Sequence, residues 1–277
     1  MKILITGSNG FVGRYLEAEA IRRGHVVFGL DVSKEKGALE SVDIRDSSKL
    51  SCLVNEINPD AVFHLAGISK AVGEDPKEIY EINVMGTLNL LMACNRLAHK
   101  PKFMFVSSSQ VYGNVAISSQ PIMENQFFSP LNHYGASKAA GENLVLAYHN
   151  EYNLPVCILR PFNHTGPGQP PFFVLPKLVK AFKERKETIH LGNLDITRDF
   201  CDVRDVVQIY VSLLENFQNG QVFNIASGNG YSLSDIINIL VELSGYRPKI
   251  LSCDDFKRSN DIKYAIGNCE KLNCVLD

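Results

Sequence analysis

The sequence predicts an α/β fold: a doubly wound parallel sheet with helices on both faces, followed by a smaller C-terminal lobe. Three observations predict it. Short, wholly apolar runs alternate with longer stretches of helical periodicity, the pattern of βαβ units rather than of hairpins. A glycine turn separates the first apolar run from the first helical stretch. The alternation then breaks at Pro161–Pro171, where four prolines and two glycines fall in eleven residues and make a loop.

Lys2–Thr6 reads as the first strand and stops at Gly7. Gly10–Arg23 is helical, with Phe11, Tyr15, Leu16 and Ala20 on one side. His25–Asp31 is a second apolar strand that ends in an acid. Ser47–Ile57 is a helix stopped by Asn58-Pro59, and Asp60–Leu65 is a third strand. Pro76–Leu97 and Leu131–Tyr152 are long helices on either side of a fourth strand, Pro101–Ser107; Val156–Arg160 is the fifth. Beyond the proline loop come helices over Leu175–Arg185, Val203–Glu215 and Leu233–Leu243, with a strand at Gln221–Ile225. No internal repeat or low-complexity tract interrupts them.

Composition excludes several classes. The chain has 277 residues, 45% of them hydrophobic and 21% charged, enough apolar material for a sizeable core. Lys and Arg number 28 against 30 Asp and Glu, so the basic excess of a nucleic-acid binder is missing. No uninterrupted apolar window approaches the roughly 18 residues a membrane helix needs. Seven cysteines are an odd count without a Cys-x-x-Cys pair, which argues against a closed disulfide framework and against a zinc ribbon. A cytoplasmic, reduced protein with no resident metal is expected.

Gly7-Ser8-Asn9-Gly10-Phe11-Val12-Gly13 places three glycines between strand and helix. Glycine lets the backbone turn tightly and approach a pyrophosphate, whose charge then sits at a helix N-terminus. Gly7, Gly10, Phe11, Val12 and Gly13 are therefore candidates for holding a dinucleotide. Asp31 ends the second strand 18 residues beyond Gly13, where a carboxylate accepts from ribose hydroxyls and repels a 2′-phosphate. That leans towards NAD, although Lys34 nearby keeps NADP open. Asp43-Ile44 follows a short extra strand and is a candidate for the adenine edge.

Tyr134 and Lys138 stand at i and i+4, on one face of a helix. A free phenol titrates near about 10, too high for easy proton exchange at neutral pH. A neighbouring ammonium is expected to lower that value and let Tyr134 exchange a proton with a carbinol or carbonyl oxygen. Ser107-Ser108-Ser109 lies at the carboxyl end of the fourth strand, where open α/β sheets place ligands.

Taken in order, Thr6-Gly7-x-x-Gly10-x-x-Gly13, Asp43-Ile44, His64-Leu65-Ala66-Gly67, Asn83, Ser107-Ser108-Ser109-Gln110-Val111-Tyr112-Gly113, Tyr134-x-x-x-Lys138 and Arg160-Pro161-Phe162-Asn163 resemble the extended short-chain dehydrogenase/reductase family of nucleotide-sugar enzymes over nearly the whole chain. The resemblance implies a Rossmann domain at 1–165, its sheet completed by about 197–226, and a substrate-binding lobe at 166–196 and 227–277. It implies Ser108, Tyr134 and Lys138 as catalytic residues. It adds Leu65, Ala66, Gly67, Asn83, Pro161 and Phe162 to the cofactor set, and gives Lys138 the nicotinamide ribose. Ser108, Ser109, Gln110, Tyr134, Asn163, Lys177, Arg198 and Arg258 would contact a nucleotide-diphosphate sugar; an arginine fork suits phosphate oxygens.

Arg160 to Gln169, Gly192-Asn193-Leu194 and Arg198 to Val206 look most like the GDP-4-keto-6-deoxy-D-mannose reductases. Ser109 and Gln110 stand where a 4,6-dehydratase of the family has an acid pair. Ser109 and Gly168 stand where fucose-synthase relatives have a Cys and a His. The expectation is a reductase that takes hydride from NADPH or NADH to the 4-keto group of a GDP-4-keto-6-deoxy hexose or heptose, in nucleotide-sugar and polysaccharide biosynthesis. A nucleotide-sugar 4-epimerase that retains NAD is the alternative, and a non-catalytic dinucleotide sensor a further one. The resemblance also implies a homodimer through the two long helices.

Overall fold

A computed structural model describes residues 1–33, 38–69, 73–253 and 262–276, with 38–40 described by their backbone alone. The first half is a run of βα units: β1 (Lys2–Thr6), α1 (Phe11–Arg22), β2 (Val26–Asp31), β3 (Ala38–Ser41), α2 (Ser47–Ile57) and β4 (Ala61–His64). A long helical segment follows, made of α3 (Pro76–Tyr80), a π turn (Glu81–Met85) and α4 (Gly86–Asn95). Then come β5 (Lys102–Val106), α5 (His133–Tyr152) and β6 (Val156–Pro161). The remainder holds β7 (Asn163–Thr165), α6 (Val174–Lys183), β8 (Thr188–Leu191), β9 (Thr197–Asp202), α7 (Val203–Glu215), β10 (Gln221–Ile225), β11 (Gly230–Ser232), α8 (Leu233–Ser244), β12 (Lys249–Ser252), β13 (Tyr264–Ala265) and α9 (Glu270–Leu276).

Seven strands form one parallel sheet in the order β10-β6-β5-β4-β1-β2-β3. The chain winds outward from β1 to β3, then returns to β4 and winds the other way. That reversal opens a crevice between β1 and β4 at the carboxyl ends of the strands. Strand periodicity divides the core between two faces. Ile3, Ile5, Phe63, Met104, Cys157 and Leu159 face α1, α7 and α9. Their sequence neighbours Leu4, Val62, Phe103, Phe105, Val156 and Ile158 face α2, α4 and α5. Both neighbours along a strand are buried, which is why these strands read as unbroken apolar runs. Each such side chain contributes about 1.5–3 kcal/mol by leaving water.

The second lobe is built on β9, which carries β11 antiparallel on one edge and β13 parallel, and which also pairs with β7. β8 and β12 form a separate parallel pair beside α6 and α8. Within the expected 197–226 completion, only β10 joins the large sheet; β9 belongs to the small one.

Three other expectations shift. The long helix expected over Pro76–Leu97 is interrupted by the π turn at Glu81–Met85 and ends at Asn95. There the Thr87 hydroxyl takes the Asn83 carbonyl at 2.6 Å, a side-chain competitor for the backbone ladder. The helix expected from Leu131 starts at His133, because Asn132 is its cap and accepts the Gly135 amide at 2.8 Å. The helix expected over Leu175–Arg185 runs instead over Val174–Lys183.

Candidate active site

A crevice of about 720 Å³ runs across the carboxyl ends of β1, β2, β4, β5 and β6, closed on its far side by the loop from Pro161 into α6. Gly7, Gly10, Phe11, Val12 and Gly13 line one end, with Asp31, Asp43 and Ile44 beside them. Leu65, Ala66, Gly67, Ser108, Tyr134, Lys138, Pro161 and Phe162 line the middle.

The glycine turn is shaped for close approach. Gly7 has φ +75°, a left-handed conformation that favours glycine. A Cβ on Gly13 would fall 2.3 Å from the Gly7 carbonyl oxygen and 2.6 Å from that of Ser8, so backbone packs on backbone. Helix α1 starts at Phe11 without a side-chain cap and without an acid in its first turn, leaving its amides for an anion. A cradle too tight for any Cβ, followed by uncapped amides, fits the pyrophosphate of a nicotinamide dinucleotide. Asp31 lies in the wall, its Oδ2 accepting the Asn9 amide at 3.1 Å. The Asp43 carboxylate is held by Arg45 through a contact of 2.6 Å, and this pairing keeps its pKa low. Arg45 thus joins Asp43 and Ile44, the two residues expected at the adenine edge, in this part of the wall.

Tyr134 and Ser108 are brought together by a glycine. A Cβ on Gly135 would lie 2.7 Å from the Gln110 carbonyl oxygen, so α5 begins hard against the turn after β5. That turn is braced twice: the Gln110 amide donates to Ser108 Oγ at 3.2 Å, and Asn132 Nδ2 donates to Gln110 Oε1 at 2.8 Å. Tyr134, Ser108 and Lys138 are 9%, 7% and 6% exposed, so all three sit in the wall yet are nearly dry. Burial raises the Tyr134 pKa, and a hydrogen bond with Ser108 opposes the rise. This corrects the expectation that Lys138 lowers it. The Lys138 ammonium turns instead to the Val106 carbonyl at 2.9 Å, and its own burial lowers its pKa to about 8 against the pull of Glu142. Desolvation outweighs the Ser108 hydrogen bond at Tyr134 and the charge of Glu142 at Lys138.

One turn beyond Lys138, the fully buried Glu142 pairs with Arg160 at 2.7 Å and accepts from Ser107. Arg160 also donates to the Tyr112 hydroxyl and to the Glu124 carbonyl, each at 2.9 Å.

The substrate candidates divide. Ser108, Ser109, Gln110, Tyr134 and Asn163 lie in the crevice wall. Lys177 and Arg198 do not: Lys177 donates to the His190 carbonyl at 2.9 Å, and Arg198 to the Thr197 carbonyl at 3.0 Å. Lys34 and Arg258 lie outside the described residues. Asn83 is also absent from the wall; it stands behind the Leu65–Ile68 segment and bonds its backbone.

Sequence reasoning missed His164, which stacks on Phe11 with the rings 6.3 Å apart and 4° from parallel. It also missed the adjoining Phe172 and Phe173, whose rings are 4.4 Å apart in the wall. The signal available was two aromatic residues directly after Pro170-Pro171. Buried Asp199 was read as part of a motif without a role. It accepts the Ser227, Gly228 and Gly267 amides at 2.9, 2.9 and 3.3 Å, tying the small lobe to the end of β10.

Among the described residues no group of three or more His, Cys, Asp or Glu is gathered where it could hold a metal ion. No described helix is long and apolar enough to cross a membrane.

Comparisons with known proteins agree with this geometry. Residues 3–226 match the model of the NAD dependent epimerase/dehydratase family. The sequence is 34% identical over 251 residues to the GDP-6-deoxy-D-mannose reductase of Pseudomonas aeruginosa, covering 88% of this chain and 80% of that one. It is 34% identical over 282 residues to the GDP-6-deoxy-D-talose 4-dehydrogenase of Aggregatibacter actinomycetemcomitans, covering 100% and 91%. A structure of RMD from Pseudomonas aeruginosa complexed with NADPH superposes with a TM-score of 0.89 at 31% identity, over 99% of this chain and 92% of that one.

Proposed function

The chain belongs to the NAD dependent epimerase/dehydratase family, an NAD(P)-dependent group of nucleotide-sugar enzymes, and on that premise we propose that it reduces the 4-keto group of a GDP-4-keto-6-deoxy sugar. The observation that carries the reading is the dry trio of Ser108, Tyr134 and Lys138 in one wall with the glycine cradle.

Reduced nicotinamide, when bound, supplies the hydride. The chain's own groups handle the proton. Ser108 Oγ–H donates to the ketone oxygen and polarises the carbonyl. Tyr134, kept protonated by burial, gives its proton to that oxygen as it becomes an alkoxide. The Lys138 ammonium then stabilises the phenolate left behind. Gly7, Gly10, Phe11, Val12 and Gly13 would hold the pyrophosphate, Asp31 the adenosine ribose, and Leu65, Ala66, Gly67, Pro161 and Phe162 the nicotinamide end. Ser109, Gln110 and Asn163 would orient the sugar. Ser109 and Gln110, in place of an acid pair, leave hydride transfer without dehydration.

Residues 1–165 form the cofactor domain, with 166–196 and 227–277 as the substrate lobe. Tyr80 of α3, Met85 of the π turn and Met92 of α4, with Leu131 and Tyr152 at the two ends of α5, are exposed apolar groups suited to a homodimer through these helices. An odd number of cysteines suits a reducing compartment, the cytoplasm, with the product serving surface-polysaccharide synthesis.

The test is oxidation of NADPH or NADH on addition of 4-keto sugars linked to GDP, CDP, dTDP or UDP, with the product read by NMR. Stoichiometric oxidation with a GDP-linked ketone is expected. Tyr134→Phe should lower kcat by roughly 10²–10⁴-fold. Interconversion of C4 epimers without net cofactor loss would instead establish a 4-epimerase.

A further inference from the structure

Asn83 of the cofactor set and His64, which directly precedes Leu65 in its motif, have work that contact with a ligand does not explain. Asn83 lies outside the crevice wall, and His64 is buried behind it, 1% exposed. Their hydrogen bonds form one chain whose direction can be worked out atom by atom. The Thr87 hydroxyl gives its only proton to the Asn83 carbonyl at 2.6 Å. Its contact with His64 Nε2 at 2.9 Å must therefore be one in which Thr87 accepts, so Nε2 carries a proton. The ring is neutral, because burial and the positive charge of Lys138 hold its pKa down to about 3. His64 Nδ1 is then a bare acceptor and takes the Thr6 hydroxyl proton at 2.7 Å. Thr6 Oγ1, its proton spent, accepts the Ala66 amide at 3.2 Å.

The other end is equally defined. Asn83 clamps Ile68 on both sides, accepting its amide at 2.8 Å and donating to its carbonyl at 3.0 Å. Its second amide proton goes to Ser137 Oγ at 2.9 Å, and Ser137 donates to the Tyr134 carbonyl at 2.8 Å. A Cβ on Gly67 would fall 2.8 Å from Asn83 Oδ1, and one on Gly7 would fall 2.8 Å from the Ala66 amide nitrogen. The wall segment is thus pressed between the cradle and Asn83 with no slack.

We infer that His64 is a positioning residue: its ring, held as the Nε2–H tautomer, joins the glycine cradle to the π turn and catalytic helix, and so sets the place of the Leu65–Ile68 wall against which a nicotinamide lies. The inference rests on the reductase reading above. No other single side chain in the described network reaches both Thr6 and Thr87. The alternate tautomer would set two protons against each other at Thr6 or two acceptors at Thr87.

Two measurements on the intact protein test it. Nitrogen-15 NMR of histidine-labelled protein at neutral pH, with His64 assigned by its loss in His64→Gln, should show a protonated Nε2 and a bare Nδ1. A protonated Nδ1 overturns the relay. Titration calorimetry then compares NADH with ADP-ribose, or NADPH with 2′-phospho-ADP-ribose, each pair differing only in the nicotinamide, in wild type and Thr87→Val. The ratio of the two dissociation constants should rise at least fivefold in the variant, and His64→Gln, which retains a donor and an acceptor, should change it less than His64→Leu. Equal weakening of both ligands, as a general loosening would give, overturns the inference, and so does an unchanged ratio. Wild-type protein that binds neither ligand overturns the reductase reading itself, a result distinct from either.

Discussion

Replacing Arg160 by Met should unfold this protein more readily than any conservative change in its apolar core. Arg160 is 4% exposed and its partner Glu142 is fully buried. The guanidinium supplies Glu142 with hydrogen bonds of 2.9 Å from Nε and 2.7 Å from Nη2, and reaches Tyr112 and the Glu124 carbonyl as well. Met has comparable length and no charge. It leaves a carboxylate in a dry interior with Ser107 as its remaining side-chain donor. Breaking a buried pair from one side costs about 3–5 kcal/mol, because the surviving ion keeps its desolvation penalty and loses its compensation. Equilibrium urea unfolding followed by circular dichroism measures the loss directly. The double variant Glu142→Gln/Arg160→Met removes both charges, and it should lie about 1 kcal/mol or more closer to wild type than the two single losses added together. A single-variant loss below about 1 kcal/mol, or strict additivity in the cycle, refutes the reasoning, since either means the pair is solvated or uncoupled.

Three further outcomes are expected. Because burial holds the Lys138 pKa at about 8 against an ordinary 10.5, kcat/KM should fall as pH rises through about 8. The sign for stability is opposite: the cost of the buried ammonium is fully present below 8 and relieved towards 10.5, so unfolding free energy should rise over that window as activity is lost, and a flat pH–rate limb there contradicts the assignment of Lys138. Gly13→Ala puts a Cβ against two carbonyl oxygens of the cradle, and NAD(P)H affinity by fluorescence titration should drop by at least about tenfold, or roughly 1.4 kcal/mol. Asp31→Ser removes the carboxylate beside the cradle, and the ratio of kcat/KM for NADPH over NADH should rise by about an order of magnitude; no change would mean that Asp31 does not meet the adenosine ribose.

What the sequence makes legible here depends on the range of the physics. Ser47–Ile57, Val203–Glu215 and Gln221–Ile225 are read to the residue, because an Asp cap, an Asn-Pro stop or a bounded apolar run is a local signal. The cradle is legible in part for the same reason: Gly10 and Gly13 answer to contacts among residues 7 to 13, whereas Gly7 answers to Leu65 and Ala66, far away in the chain. Tyr134 and Lys138 are legible as a pair, being one turn apart on one helix. Their electrostatics are not. The sign of the Tyr134 shift depends on how dry the crevice is, and that follows from packing of segments far apart in the chain. Arg198 and Lys177 are implied as substrate contacts by the resemblance alone, and in the structure both donate to backbone carbonyls outside the wall. An arginine beside a motif aspartate gives no local sign of which way its side chain will point.

The same range argument explains why polar groups of this chain were harder to read than apolar ones. An apolar residue requires only a dry neighbour, and periodicity says which face is dry. A buried polar residue requires a particular partner. His64 finds its partners at Thr6 and Thr87, 58 and 23 residues away, and Tyr112 finds Asn224 at a separation of 112. Such pairs leave no spacing in the sequence. They nonetheless bear on the chemistry, because each candidate catalytic group is held in part by such a distant link: the turn after Ser108 by Asn132, the backbone of Tyr134 through Ser137 by Asn83, and Lys138 by the Val106 carbonyl. A relative that kept the motif but lost Thr87 or Arg160 would carry the same reactive side chains on a looser frame. The cost would then appear in the alignment of the reacting atoms, where small displacements weigh more than any single lost contact.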